Sequence, residues 1–224
     1  MPNVYTFKDF EGSSHRILIE LIARHAKGGT LLDLGAAGGE LGSAVRGRFE
    51  RTIGFEYNVD CAGELKGRFD QIVIADLDRV TQLPPNVDAI VLADVLEHLR
   101  NPAAALRLVR AALKDDGRAF ISVPNIANIT MRLGLLLGIF EYRERGILDR
   151  THLRFYTART FRREVENAGF RILETRGTSI PVRLVIGRFT PDAILRVLER
   201  LLVWTTRLWR SLFAYQIVVV AVKK

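Results

Sequence analysis

The chain has 224 residues, a length that suits one α/β domain carrying an insertion and leaves little room for a second domain. Hydrophobic residues make up 48% and charged residues 26%, which is the balance of a folded protein and excludes a largely disordered chain. The formal charge of +8 favours an acidic partner such as anionic lipid or a phosphorylated substrate. Specific nucleic-acid binding is not predicted, because basic residues form no compact run and are not interleaved with aromatic residues.

Cysteine content and hydropathy indicate the cellular compartment in which the protein is expected to fold. Cys61 is the single cysteine, so an intramolecular disulfide and an all-cysteine metal site are both excluded. Residues 1–16 lack the basic start and apolar core of a signal peptide, and no stretch approaches the ~20 apolar residues of a spanning helix. We therefore expect a cytoplasmic protein.

The first 27 residues are predicted to form an N-terminal lid and helix. Aromatic side chains in 1–12 are candidates for the lid, and Ser13 or Ser14 can cap a helix that runs to about Lys27. Glycines follow and stop this helix.

The stretch from Thr30 to Gly42, TLLDLGAAGGELG, is predicted to be a buried strand, a glycine-rich turn and the start of a helix. Glycines allow a ligand to approach the main chain closely, and the helix points its unpaired N–H groups at the same place. The pattern indicates a site for a polar or anionic ligand. The alternative is a tight strand-to-helix connection that binds nothing.

Two carboxylates indicate which ligand this is. Asp33, at the end of the strand, suits a cationic amine and would repel a pyrophosphate. Glu56 closes a second strand about twenty residues beyond the turn, the offset at which an acidic side chain accepts hydrogen bonds from ribose hydroxyls. S-adenosylmethionine carries an amine, a carboxylate and a ribose, so it is the predicted cofactor. A nicotinamide-dependent oxidoreductase is the rival class, but GAAGGELG does not match its G-x-G-x-x-G fingerprint.

These residues, with IADLD, VDAIVLADVLEHL and DRTHLRF further along, resemble the class I S-adenosylmethionine-dependent methyltransferases over about 15–175. The first motif of that family has an acidic residue and three glycines at alternate positions. This chain has Asp33, Gly35 and Gly39, with Ala37 in place of the middle glycine. This substitution of alanine for glycine affects only how closely the ligand can approach the main chain.

The resemblance also implies an adenine contact. Asp76, after the third predicted strand, is expected to meet the adenine amino group, and Asp78 is the competing candidate. The full set of candidate cofactor-binding residues is Asp33, Gly35, Ala36, Gly39, Glu56, Tyr57, Asp76, Leu77 and Ala93.

Alternating strands and helices predict an α/β fold: a Rossmann-like, seven-stranded, mostly parallel sheet with helices on both faces. The resemblance implies that the last strand is antiparallel. We expect a single methyltransferase domain over 1–224. Its parts are a cofactor-binding core at 28–175, a lid over the substrate site at 124–156, an amphipathic insertion at 181–212 and the last strand at 213–224.

Three polar residues follow the fourth predicted strand, at the end of the sheet where ligands bind in open α/β folds. Asp94, Glu97 and His98 would share one face if the segment turns as a helix. A histidine titrates near neutrality, so His98 is the candidate base for removing a hydroxyl proton, and His152 is the second candidate catalytic residue.

A metal site is the alternative. DxxEH with a distant histidine is similar to the ExxEH-plus-histidine set of small-RNA 2'-O-methyltransferases and to a related set in ubiquinone-biosynthesis O-methyltransferases. That resemblance implies a divalent ion held by Asp94, Glu97, His98 and His152. A histidine base without metal is preferred, and purely structural histidines are the third interpretation.

The insertion contains a helix predicted to span about 190–212, with apolar residues over a wide arc and arginines on the other side. Peripheral membrane contact that presents a lipid-linked acceptor is one interpretation, and packing on the domain or on a second copy is the other. The DRTHLRF segment resembles a bacterial group often found among enzymes of cell-surface glycan biosynthesis.

The predicted function is O-methylation of a small-molecule, sugar or lipid-linked acceptor. The alternatives are a cofactor-binding accessory protein without catalysis and, less favoured, a metal-dependent RNA 2'-O-methyltransferase.

Overall fold

The structure, a computed structural model, describes residues 10, 12–26 and 28–224. Its strands form one seven-stranded sheet in the order β3-β2-β1-β4-β5-β7-β6. The strands are β1 (Thr30–Leu34), β2 (Arg51–Glu56), β3 (Gln71–Ile74), β4 (Val87–Ala93), β5 (Leu113–Pro124), β6 (Phe170–Gly177) and β7 (Gln216–Lys223). All neighbouring pairs are parallel except β5 with β7 and β6 with β7. The predicted fold class, with its antiparallel last strand, is confirmed.

Helices connect these strands. Those before β6 are α1 (Ser14–His25), α2 (Glu40–Val45), α3 (Ala62–Leu65), α4 (Pro102–Ala112), α5 (Ile129–Leu136) and α6 (Ala158–Asn167). Those between β6 and β7 are α7 (Val182–Ile186), α8 (Asp192–Leu208) and α9 (Arg210–Phe213). Among the described residues, no helix is long and apolar enough to cross a membrane.

The N-terminal helix covers one face of the sheet. Ser13 caps α1 by accepting a hydrogen bond from the Arg16 N–H at 3.3 Å, as the sequence predicts. Leu18 and Ile22 on α1 pack with Phe120 of β5 in a buried cluster. The predicted lid residues at 1–9 and 11 lie outside the described part of the chain.

The opposite face of the sheet is covered by α4 and α6. Leu106 and Val109 of α4 join Phe161 and Val165 of α6 in the largest buried cluster, together with residues of six strands. Helices on both faces bury the sheet, which explains why its central strands are nearly uniformly apolar.

One strand is longer than its sequence predicts. The strand predicted at 118–123 instead spans Leu113–Pro124, because Leu113 pairs with Val87 ahead of an irregularity in the pairing, after which Arg118 pairs with Ala89. The helix before it therefore ends at Ala112 rather than near Lys114. The lid helix is also short: Asn128 caps the eight-residue helix α5, and the chain turns at Gly138, which has a φ of +72°.

Candidate functional site

The glycine-rich turn lies at the carboxyl end of β1. Gly35 and Gly39 have φ values of +76° and +82°, in the region that favours glycine. A Cβ added to Gly35 would lie 2.6 Å from Cγ2 of Val95, so the turn also needs glycine for packing. Ala37, where the family has a glycine, has a φ of +49° and so retains the left-handed backbone despite its methyl group. The turn is an open backbone cradle held against the segment that follows β4.

Asp33 lies beneath this turn with 3% of its surface exposed. Burial raises the pKa of its carboxyl group to about 7, while a hydrogen bond from the Gly42 N–H opposes the rise. Glu56 and Glu40 add a smaller upward shift to this pKa through charge repulsion. A cation bound at the turn would lower the pKa of Asp33 again and so favour its ionised carboxylate. The position therefore suits the cationic amine that the sequence assigns to it.

Glu56 ends β2 beside the same turn. One of its carboxylate oxygens accepts the Ala37 N–H at 2.7 Å and the other accepts the Asn58 N–H at 2.8 Å. These two bonds fix the carboxylate, and each oxygen keeps a second lone pair for a hydroxyl. Tyr57 is next to it and is exposed. The arrangement fits the diol of a ribose.

The structure separates the two candidates for adenine recognition. Asp78 accepts the Arg100 N–H at 3.0 Å and the Asn101 N–H at 3.2 Å, so its carboxylate orders the chain before α4. Asp76 is partly buried and accepts the Asp78 N–H at 3.0 Å. Leu77, between them, packs against the main core. Asp76 also pairs with the Arg79 guanidinium at 3.4 Å, so the two carboxylates differ in that Asp78 is committed to main-chain N–H groups before α4.

Asp94 does not join the other candidate metal ligands. It follows Ala93, the last residue of β4, with a φ of +56°, and its carboxylate accepts hydrogen bonds from the Ser122 hydroxyl at 2.7 Å and from the Gln216 amide. These partners belong to β5 and β7. The expected four-residue set is thus corrected to three, because Asp94 is held by the sheet.

Glu97, His98 and His152 come together as one cluster. A short 3-10 helix, Leu96–His98, carries the first two, and one ligand atom from each of the three lies within 4.8 Å of the others. The ring centroids of the two histidines are 4.8 Å apart. The backbone carbonyl of Glu97 accepts the Leu153 and Arg154 N–H groups, at 2.8 and 3.1 Å, and so ties the lid segment to this helix.

Hydrogen bonds assign the histidine tautomers. The Thr151 hydroxyl donates to Asp149 at 2.6 Å, so at 3.1 Å from Nδ1 of His98 it can only accept. Nδ1 of His152 is 3.0 Å from the carbonyl of Ile147, which also can only accept. Both rings therefore carry a proton on Nδ1, and in the neutral form each keeps a lone pair on Nε2. Burial and the neighbouring His152 lower the pKa of His98, which favours that neutral form.

Glu97 is the unusual member of the cluster. It is 1% exposed, and neither carboxylate oxygen has a hydrogen-bond partner within the described parts of the chain. Nε2 of His152 lies 4.0 Å away. Burial and the charges of Asp94 and Asp149 raise the pKa of Glu97 well above its ordinary value. A buried carboxyl group without partners is costly, so this one suits a proton or a cation shared with the histidines.

Sequence reasoning missed three residues of this network: Asp149, Thr151 and Gln216. Asp149 also accepts the Thr151 N–H at 2.8 Å, a side-chain turn for which the Asp-x-Thr spacing was an available signal. Gln216 carries no such signal, because its partner is 122 residues away.

A cleft of about 650 Å³ lies apart from these residues, between α1, β6 and α8. Arg176 and Glu174 of β6 line it together with Arg207 of α8. It contains none of the predicted site residues.

Fold and site together define a class I S-adenosylmethionine-dependent methyltransferase. The fold is shared with a methyltransferase from Clostridium acetobutylicum at a TM-score of 0.65 and 12% identity, covering 96% of this chain and 92% of that one. It is shared with another from Archaeoglobus fulgidus at a TM-score of 0.61 and 19% identity, covering 94% and 95%.

The family described as "Methyltransferase domain" matches residues 10–175, and the chain belongs to this family. A ubiquinone biosynthesis O-methyltransferase of Aeromonas salmonicida is 27% identical over 159 residues, which cover 67% of this chain and 66% of that protein. The match covers less than two thirds of the length of each of three curated relatives, this one included, at 57% to 66%.

The residues of the turn fit S-adenosylmethionine. Gly35 and Gly39 form the turn with positive φ angles where packing leaves no room for a Cβ, Asp33 lies beneath it, and Glu56 ends the next strand. Asp33 and Glu56 place two carboxyl groups at this turn, and their charge would disfavour a pyrophosphate there. The rival assignment to a nicotinamide enzyme is therefore not supported by the site.

Proposed function

We propose that the protein transfers the methyl group of S-adenosylmethionine to an oxygen atom of a small-molecule, sugar or lipid-linked alcohol. The observation that carries the proposal is the tautomer of His98: its Nδ1–H is held by Thr151, and its Nε2 lone pair is left for an acceptor proton. The pairing of β4 with β1 brings this histidine to the end of the sheet that holds the glycine turn.

The cofactor would supply a methyl group on a positively charged sulfur, which leaves as a neutral thioether. The protein must then orient the acceptor hydroxyl and take its proton as the oxygen attacks. Nε2 of His98 accepts that proton, and the Asp149–Thr151 pair stabilises the resulting imidazolium. Val95, packed over Gly35, links the base to the cofactor turn.

A second candidate is metal-assisted transfer, favoured by the buried and unpartnered carboxyl group of Glu97. Glu97, His98 and His152 could ligate one divalent cation, whose charge would lower the pKa of an acceptor hydroxyl. Equilibrium dialysis of the purified protein with Zn²⁺ and Mn²⁺ tests this without an activity assay. Glu97→Gln should abolish a bound stoichiometric ion if the site exists.

Transfer of a labelled methyl group to a panel of alcohols tests the main proposal. A product methylated on oxygen supports it, and methylation only on nitrogen or carbon contradicts it. Cofactor binding with no turnover on any acceptor found in a cell extract would favour an accessory protein without catalysis.

Glu56→Ala is expected to weaken S-adenosylmethionine binding by about 1 to 3 kcal/mol, because a charged acceptor for the ribose is lost. Calorimetry measures the change. Glu50→Ala is the matched control, since Glu50 is exposed and precedes β2 at the opposite end of that strand. Equal affinity in both variants would remove Glu56 from ribose recognition.

Thr151→Val is expected to lower kcat roughly fivefold, the effect of one lost hydrogen bond of about 1 kcal/mol. Thr151 is a positioning residue, so the loss should come with a shift of the acidic limb of the pH–rate profile to lower pH, because the imidazolium of His98 loses an acceptor. Thr151→Ser keeps the hydroxyl and should restore both. A loss that serine does not restore would point to packing instead.

A further inference from the structure

The outer face of α8 is an apolar surface that the described part of the chain leaves uncovered. Its side chains are spaced alternately three and four residues apart, and each is at least half exposed, with Trp204 at 60% and Leu208 at 72%. Leu195, Glu199 and Thr206 on the opposite face are buried against the domain. We call the outer surface the apolar ridge; it consists of Ile194, Val197, Leu201, Trp204 and Leu208.

Arginines flank this ridge along one side. Helical geometry places Arg196, Arg200 and Arg207 between the ridge and the buried face, and all three are exposed. The two acidic residues of α8 do not balance them. Asp192 and Glu199 pair with the same arginine of α7, Arg183, at 2.8 and 3.0 Å. The outward-facing side of α8 is therefore apolar and cationic.

We propose that the apolar ridge and its arginine flank dock on an anionic lipid bilayer, with α8 lying in the plane of the headgroups. An amphipathic helix that is rich in arginine and carries tryptophan has the composition of such a surface. Trp209, which follows the helix and is also exposed, adds a second tryptophan near the C-terminal end of α8.

Charge argues against a second copy of the chain as the occupant. The alternating spacing of the ridge would also suit helix pairing, but a stable pair places opposite charges along its flanks. The flanks of α8 offer Arg200 and Arg207 and no exposed unpaired carboxylate, so two copies would bring arginines together.

The docking surface is connected to the lid of the active site. The chain leaves α8 through α9, and the carbonyls of Phe213 and Ala214 accept hydrogen bonds from the amides of Asn125 and Asn128. Those two asparagines are fully buried at the start of the lid segment. The segment that follows the docking helix is thus hydrogen-bonded to the start of the lid segment.

Sedimentation of the full chain with vesicles tests the proposal by binding, independently of methyl transfer. The protein should pellet with phosphatidylglycerol-containing vesicles at low salt and remain in solution with pure phosphatidylcholine. The triple change Arg196→Glu, Arg200→Glu and Arg207→Glu should weaken binding by at least about a hundredfold, since each arginine at an anionic surface contributes about fivefold. Trp204→Ser with Leu208→Ser should weaken it at least about tenfold.

A matched charge change on α6 provides the control. Arg159→Glu, Arg162→Glu and Arg163→Glu alter the net charge equally on an exposed surface elsewhere and should leave most of the binding intact. Equal loss in both triple variants would reduce the effect to net charge and overturn the docking surface. A wild-type protein that stays in the supernatant would also overturn it, as would a dimer that Trp204→Ser converts to a monomer.

Discussion

Replacing His98 with alanine is expected to lower kcat by at least about a hundredfold, because general base catalysis contributes on the order of a hundred- to ten-thousandfold. Affinity for S-adenosylmethionine should change little, since His98 is not one of the cofactor residues. His25→Ala is the control: that histidine lies on α1 and pairs with Glu174 at 2.8 Å, far along the chain from the lid. Full turnover on the true acceptor in both His98→Ala and His152→Ala would make the two histidines structural.

The pH–rate profile and a chelator separate the two mechanisms. Because burial and His152 lower the pKa of His98, the rate should rise with pH through a midpoint below 6.5 and then stay level. A base mechanism predicts resistance to a chelator. A metal mechanism predicts loss of turnover on chelation, recovery with added Mn²⁺ or Mg²⁺, and a Glu97→Gln variant as impaired as His98→Ala.

Asp33→Asn is expected to change stability and cofactor binding in opposite directions. The pKa of Asp33 rises from an ordinary 3.8 to about 7 on folding, so the folded state holds a proton that the unfolded state releases. The cost of ionising the buried carboxyl is absent below pH 4, grows between pH 4 and 7, and is complete above pH 7. At about 1.4 kcal/mol per pKa unit, the variant should be more stable than the wild type by on the order of 4 kcal/mol at pH 8.

Cofactor affinity should fall in the same variant by roughly tenfold or more, because an amide cannot neutralise a cationic amine. Denaturant unfolding at pH 8 and pH 4 measures the first effect, and calorimetry measures the second. The two proteins should be equally stable at pH 4, which serves as the internal control. A variant less stable than the wild type at pH 8 would show that Asp33 is ionised and stabilising in the folded protein.

Local sequence signals were sufficient for most of the fold and for the backbone of the glycine turn. The glycine turn after Leu34 and the acidic residue closing β2 are set by short-range chemistry: positive φ angles and the end of a strand. The cap at Ser13 and the capping box at Thr157 also follow from neighbouring residues.

The cluster of Glu97, His98 and His152 depends on contacts that no local pattern encodes. Sequence spacing suggested that Asp94 would turn toward His98, but the backbone at Asp94 has a positive φ and its carboxylate meets β5 and β7. Likewise, the orientation of His98 is decided by Thr151, 53 residues further along. Such pairings join residues far apart in the sequence, so they can be identified only from the assembled structure.

The position of β7 has a consequence for folding kinetics. This strand lies between β5 and β6, and its Gln216 secures Asp94 across 122 residues of chain. The bond from Asn125 to Ala214 spans 89 residues. Such distant pairings are the slowest to form, because loop-closure entropy is lost before any contact compensates for it. The strands around the glycine turn can therefore assemble early from neighbouring segments, while the edge that positions Asp94 is completed only when β7 joins the sheet.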